Sequence, residues 1–137
     1  MENNKILLYG SKSTAYIIYE MLRDLGKFPK FMFDPLSKKP FFKSNLKFSN
    51  NLKDFKNFLK KSKYFTVCIA REDGYARYGI SKELEKLKLK PLLIRSKLSD
   101  IHKSAKIGDG LIAMAKSYIN RGTEIGKYCI LNTGAIV

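Results

Sequence analysis

Residues 101–137 repeat with a period of six, a period that neither a helix nor a flat strand possesses. Every sixth residue from Ile101 is Ile101, Ile107, Ala113, Ile119, Ile125, Leu131 and Val137; six of these seven are large aliphatics and none is polar. Four places after each of the first six stand Ala105, Leu111, Ser117, Thr123, Cys129 and Ala135, of which five are small. An α-helix returns a side chain to the same face about every 3.6 residues and a strand about every two. A parallel β-helix of triangular cross-section accommodates both registers. Each six-residue unit is then one flat face and one corner, with the aliphatic stacked inward on its equivalent one coil away and the small residue in the corner. Burying one ladder side chain stabilises by about 1.5–3 kcal/mol. Gly108, Asn120, Gly126 and Asn132 follow ladder residues, and these residue types tolerate left-handed backbone at a corner. Six units at three per coil make two coils, whereas solenoids generally need more repeats to bury their faces. The segment therefore reads as the start of a longer β-helix, or a remnant of one, with an open apolar edge at Ile136 and Val137.

The residues before this segment have a different texture. "KILLY" (5–9) is a short apolar run closed by Gly10, as a buried strand requires. Ser13 or Thr14 can cap a helix whose apolar positions are Ala15, Ile18, Met21, Leu22 and Leu25, with Gly26 as its stop. Phe31, Met32 and Phe33 form a second strand ended by Asp34-Pro35, and residues 36–49 are loop-like. Leu52, Phe55, Phe58 and Leu59 share one helical face, "YFTVCIA" (64–70) is a third strand, and Tyr75, Tyr78, Ile80, Leu84 and Leu87 mark a helix over 75–88. "LLIR" (92–95) is the fourth strand. This β-α-β-α-β-α-β order predicts a four-stranded parallel sheet with right-handed crossovers. The expected division is an α/β domain over 1–97 and a left-handed parallel β-helix over 98–137.

Charge and cysteine usage exclude several classes. The formal net charge is +15, but the lysines are spread along the chain without an arginine cluster or aromatic interleaving, so nucleic acid is not the expected partner. A basic chain also attracts anionic small molecules such as nucleotides and coenzyme A. No apolar run is long enough to span a membrane, and "MENNKILLYG" lacks the features of a signal peptide, so a cytoplasmic protein with no membrane partner is expected. One histidine and two distant cysteines, Cys68 and Cys129, supply no zinc site, and the cysteines read as buried free thiols.

In "KILLYG", "FDP", "VCIA", "LIRSKLSDIHKSAKIG" and "YINRGTEIGKYCILNTGAIV" the chain resembles the hexapeptide-repeat sugar acetyltransferases. The similarity is to the sialic-acid O-acetyltransferase and UDP-amino-sugar N-acetyltransferase group of surface-glycan synthesis, and it spans essentially the whole chain. The resemblance implies a Rossmann-like nucleotide-sugar-binding domain and acetyl transfer from acetyl-CoA to a sugar amine or hydroxyl. It also implies a homotrimer with active sites between neighbouring β-helices. In that family the general base is a histidine shortly after the motif that here reads "ILNTGAIV", about two residues past Val137. No residue of this chain is therefore assigned as catalytic, and His102, the only histidine, suits a corner contact. The implied function is the N-terminal portion of a sugar acetyltransferase, inactive as 137 residues; the alternative is a non-catalytic nucleotide-sugar-binding module.

The candidate substrate-binding residues are Gly10, Ser11, Lys12, Ser13, Thr14, Asp34 and Arg71. In the family the first turn is glycine-rich and carries a histidine; here Gly10 remains, Ser13 and Ala15 replace later glycines, and Thr14 stands at the histidine's place. Hydroxyls and helix N-terminal amides in "GSKST" can hold phosphate, with charge from Lys12; helix capping explains the same serines. The run lacks the spacing of a Walker A loop, and no G-x-G-x-x-G is present to support a dinucleotide reading. Asp34 can accept a ribose hydroxyl or simply initiate a turn before Pro35. Arg71, together with Arg77 in "REDGYARYG", can meet substrate anions; surface solvation or a Glu72–Arg77 pair is the plainer account of them.

Overall fold

The computed structural model describes residues 2–70 and 73–137. The chain divides into two compact units, one ending at Pro91 and one spanning Leu92–Val137. The first contains β1 (Ile6–Tyr9), α1 (Ser13–Asp24), β2 (Phe31–Phe33), β3 (Lys47–Ser49), α2 (Leu52–Lys61), β4 (Tyr64–Val67), α3 (Gly74–Lys86) and β5 (Lys90–Pro91). Its strands form one sheet in the order β3-β2-β1-β4-β5, and every pairing is parallel. The chain builds outward from β1 to β3 and then crosses to add β4 on the other side. That reversal opens a crevice at the carboxyl ends of β1 and β4.

Alternation along the strands sorts the core onto two faces. Leu7 lies level with Phe31 and Phe65, and Tyr9 level with Phe33 and Val67. This face packs with Phe55, Phe58 and Leu59 of α2 and with Ile80 and Leu84 of α3. Phe33 stacks on Phe55 at 4.1 Å and Phe31 on Phe58 at 4.7 Å between ring centroids. The alternate residues Ile6, Leu8 and Met32 are fully buried on the other face. The inward stripe of α1 is Ala15, Ile18, Tyr19 and Leu22. Gly26, at φ +71°, ends α1: its N–H donates to the Arg23 carbonyl, and the Lys27 N–H donates to that of Leu22. This is the paired-bond helix stop that glycine favours.

Three sequence expectations change. The sheet has five strands, not four: β3 lies inside the segment read as loop, where three residues with an exposed lysine leave no pattern to detect. "LLIR" does not join this sheet; β5 takes the place expected of that strand, beside β4, and Ile94–Arg95 belongs to the second unit. The helical faces are narrower than the apolar residues suggest, with Leu52 69% and Tyr75 92% exposed.

The second unit contains β6 (Ile94–Arg95), β7 (Asp100–Ile101), β8 (Lys106–Ile107), β9 (Ile112–Ala113), β10 (Tyr118–Ile119), β11 (Glu124–Ile125) and β12 (Ile130–Leu131). Ile101 pairs with Ile119, Ile107 with Ile125, Ala113 with Leu131, and Ile94 with Ile112, all in parallel. Each partner is one coil, three hexads, further along. The strands fall into three small sheets, one for each face of the coil. Leu111, Ala113, Ile119 and Leu131 are buried in its centre, with Ile101, Ala105, Ile107, Ile125, Cys129 and Ala135 packed against them. Both registers of the six-residue repeat therefore line one core.

The corners differ in detail from expectation. Left-handed backbone occurs at Gly110, Lys116, Gly122, Tyr128 and Gly134, three places after the ladder residues rather than one. Gly108 is needed for a different reason: a Cβ there would lie 2.6 Å from the Gly126 carbonyl carbon and the Lys127 nitrogen.

Candidate functional site

The crevice between β1 and β4 begins at Gly10. Its φ of +109° suits glycine, and a Cβ there would stand 3.1 Å from the Cys68 carbonyl oxygen. Gly10 thus lets the backbone leave the sheet close beside the end of β4. Its N–H donates to the Phe33 carbonyl at 2.8 Å, and the Cys68 N–H donates to the Tyr9 carbonyl at 2.7 Å. The Cys68 thiol is buried, and burial alone pushes its pKa far above the ordinary thiol range. A thiol held protonated in this way is no nucleophile.

Ser11 and Asp34 form one buried lock. The Ser11 N–H and Oγ–H donate to Asp34 Oδ2 at 3.1 and 2.7 Å, and the Ser37 hydroxyl donates to the same oxygen at 3.0 Å. Asp34 Oδ1 accepts the Leu36 N–H at 3.0 Å. The Ser11 carbonyl accepts the Phe41 N–H at 2.8 Å. All three polar groups of Ser11 are thus engaged within the protein, and the Asp34 carboxylate is committed to the turn after β1 and its own loop. Tyr9 registers the same charge: burial raises its pKa first, and the Asp34 carboxylate raises it further.

Lys12, Ser13 and Thr14 are placed differently. Lys12 occupies the N-cap of α1 with extended backbone and makes no side-chain capping bond, so neither Ser13 nor Thr14 is the cap. Lys12 and Ser13 are exposed and Thr14 is half-buried. Among the described residues, no hydrogen-bond partner engages the Ser13 or Thr14 hydroxyl. A helix amino terminus with exposed hydroxyls and an adjacent ammonium is the arrangement that binds phosphate. The candidate set therefore separates into a structural pair, Ser11 and Asp34, and an outward run at the α1 amino terminus, Lys12, Ser13 and Thr14. Arg71 lies outside the described residues, as does Glu72 of the Glu72–Arg77 pair. Arg77 donates from Nη1 to the Ile69 carbonyl at 2.6 Å and so ties α3 to the end of β4.

Sequence reading missed the loop after β2 as a wall of this region. Phe42 packs against Tyr16 and Tyr19 of α1 at 5.1 and 5.4 Å between ring centroids. The paired phenylalanines within a polar stretch were the available signal. In the second unit, His102 sits at a corner. Its Nδ1 is 2.9 Å from the Ser104 hydroxyl, and its Nε2 accepts from Arg121 Nε at 3.3 Å. The Gly122 N–H also donates to Ser104 Oγ at 3.1 Å. The imidazole joins one coil to the next.

No protein-family model and no curated protein sequence matches the chain. Solved structures do match. A histidine-to-asparagine mutant of perosamine N-acetyltransferase from Caulobacter crescentus, in complex with CoA and GDP-perosamine, aligns at a TM-score of 0.86 and 19% identity, over 98% of this chain and 62% of that one. The acetyltransferase domain of PglB from Neisseria gonorrhoeae aligns at 0.81 and 20% identity, over 98% and 65%. The same domain in complex with acetyl coenzyme A aligns at 0.75 and 20% identity, over 98% and 64%. At this identity the likeness establishes the fold. The chain spans less than two thirds of the length of these structures.

Proposed function

We propose that the chain is the nucleotide-sugar-binding portion and first coils of an acetyl-CoA-dependent sugar acetyltransferase of surface-glycan synthesis. The observation that carries this is a structural likeness covering 98% of the chain, residues of both units included, with a perosamine N-acetyltransferase. A doubly wound sheet alone hosts many activities; its succession by a hexad coil narrows the choice. On this reading the coil is left-handed and the complete enzyme is a homotrimer. The α1 amino terminus with Lys12, Ser13 and Thr14 holds the diphosphate, Gly10 admits it to the crevice, and the Ser11–Asp34 lock shapes the turn. The N-terminal domain boundary falls within 91–97. Acetyl-CoA is the second substrate, and no residue of this chain is assigned to it.

Acetyl transfer needs a general base to take the proton from the attacking sugar group and donors to stabilise the oxyanion. His102 is committed to a corner contact, and no described residue at the crevice is placed for the first role. The 137 residues alone are therefore expected to bind a nucleotide sugar without consuming acetyl-CoA. Calorimetry with GDP- and UDP-linked sugars tests the binding, with Ser13→Glu as the informative variant. A carboxylate in the first turn favours the helix dipole but repels a diphosphate. Binding lost with the fold intact supports the site; unchanged affinity removes it.

A further inference from the structure

The opposite edge of the sheet carries a separate feature. Every strand of the parallel sheet starts from a lysine. Lys5 precedes β1, Lys30 precedes β2 and Lys63 precedes β4, while Lys47 opens β3 and Lys90 opens β5. Backbone bonds tie these five in two sets: Lys47 N–H donates to the Lys30 carbonyl, and Lys63 N–H donates to that of Lys5 while Lys90 N–H donates to that of Lys63, each at 2.9 Å. Across the sheet the order is Lys47, Lys30, Lys5, Lys63, Lys90. With strands about 4.8 Å apart, the row is about 19 Å long. Lys60 and Lys61 from the end of α2 join it. They share with Lys5, Lys30, Lys63, Asn4 and Ser62 a shallow cleft of about 370 Å³.

Helix dipoles account for Lys60 and Lys61, which sit in a last turn. They do not account for the five lysines that begin strands. All seven are exposed. Glu2 bonds Lys5 at 2.5 Å and lies 3.8 Å from Lys63. The row thus keeps a large positive excess. Two apolar side chains flank it: Phe28, 57% exposed, is tied by its N–H to the Asn3 carbonyl, and Leu87, 54% exposed, precedes the turn into β5.

We infer that this edge docks the protein on an anionic phospholipid surface. A row of lysines without arginine attracts a charged plane without bidentate recognition, and flanking apolar side chains suit the headgroup boundary. Single-stranded nucleic acid requires a series of exposed rings between the charges; here Phe28 is exposed, but Phe31 beneath Lys30 is buried and Tyr64 beneath Lys63 is half-buried. That no helix among the described residues is long and apolar enough to cross a membrane does not bear on surface docking. Strand polarity places the Gly10–Thr14 turn at the other end of the sheet, so docking leaves it facing away from the bilayer.

The test is co-sedimentation of the full chain with vesicles of phosphatidylcholine alone, or containing about one third phosphatidylglycerol, at low and physiological salt. The expected result is binding to the anionic vesicles only, weakened by salt. The triple variant Lys5→Gln, Lys30→Gln, Lys63→Gln should bind about 100-fold more weakly, from about five-fold per lysine. A control of equal charge change, Lys53→Gln, Lys56→Gln, Lys103→Gln, should stay within about two-fold of the parent. Circular dichroism shows that each variant is folded. Equal binding to neutral vesicles, equal losses in the two variants, or no binding to anionic vesicles at low salt overturns the inference. So does tighter binding to a single-stranded oligonucleotide that depends on the same three lysines.

Discussion

One carboxylate, that of Asp34, holds the turn after β1 to the loop after β2. Removing it leaves the buried Ser11 N–H and hydroxyl without an acceptor, and unmatched buried donors are costly. Asp34→Ala is expected to lower unfolding free energy by about 2–4 kcal/mol, and Ser11→Ala by about 1–2 kcal/mol. Urea denaturation followed by circular dichroism measures both, and a change below about 0.5 kcal/mol for Asp34→Ala would contradict the lock. Cys68 makes a prediction of opposite pH sense to a carboxylate. Burial raises its folded pKa above the unfolded value near 9. Its contribution is thus complete below that pH and declines above it, as unfolded chains ionise and folded ones do not. Stability should fall more steeply above pH 9 in the parent than in Cys68→Ala. Parallel slopes would show that the buried thiol is not responsible.

Among the elements, the coil was legible because its period is unique to it. Ile101, Ile107, Ile119, Ile125 and Leu131 face one centre, as the six-residue spacing requires. The count began at Ile101 because the preceding ladder position is Arg95, a polar side chain, although Arg95 pairs with Ala113 in the same way. That break is why "LLIR" resembled a last sheet strand. The corners were misplaced because Lys116 and Tyr128 adopt positive φ, and neither residue type advertises it. Left-handed backbone costs a non-glycine residue about 1–2 kcal/mol, which coil stacking offsets here. The two glycines that follow ladder residues then separate cleanly. A Cβ at Gly108 meets the backbone of Gly126 and Lys127, whereas at Gly126 it meets nothing within 4 Å. Gly108→Ala should destabilise the coil by about 1–3 kcal/mol and Gly126→Ala by no more than about 0.5 kcal/mol. Limited proteolysis read by mass spectrometry, scoring cleavage within 92–137, compares them. Equal cleavage rates would refute the close approach.

For the whole molecule, the contiguity of the turn after β1 was readable in the sequence, but not how its side chains divide between inside and outside. Gly10, Ser11, Lys12, Ser13 and Thr14 are contiguous, so their common position was readable. That Ser11 turns inward to Asp34 while Ser13 stays exposed depends on Ser37 and Phe41, which lie beyond a loop without periodicity. The row of strand-initial lysines was hidden for the same reason: its members are far apart in sequence and become neighbours only through the order β3-β2-β1-β4-β5. A net charge of +15 reads as diffuse until topology aligns it.

The two units differ in how much core each owns, and this yields the last prediction. Residues 1–91 have a five-stranded sheet with helices against it, and Phe31, Phe33, Phe58, Phe65, Val67 and Leu84 are buried in one cluster. Residues 92–137 bury Leu111, Ala113, Ile119 and Leu131 in theirs, with Leu92, Ile94, Ile112, Met114 and Tyr128 buried outside that cluster. Conformational entropy costs about 1–2 kcal/mol per ordered residue, while each buried aliphatic returns about 1.5–3 kcal/mol, so a small core must be rich in such residues to prevail. A solenoid also stabilises each coil through its neighbour, and two coils share a single stack. Expressed separately, 1–91 should show a cooperative thermal transition and an α/β circular dichroism spectrum. The isolated 92–137 peptide should give a disordered spectrum without a transition. A cooperative melt of the peptide would mean that two coils suffice, and the stabilising weight assigned to stacking would have to rise accordingly.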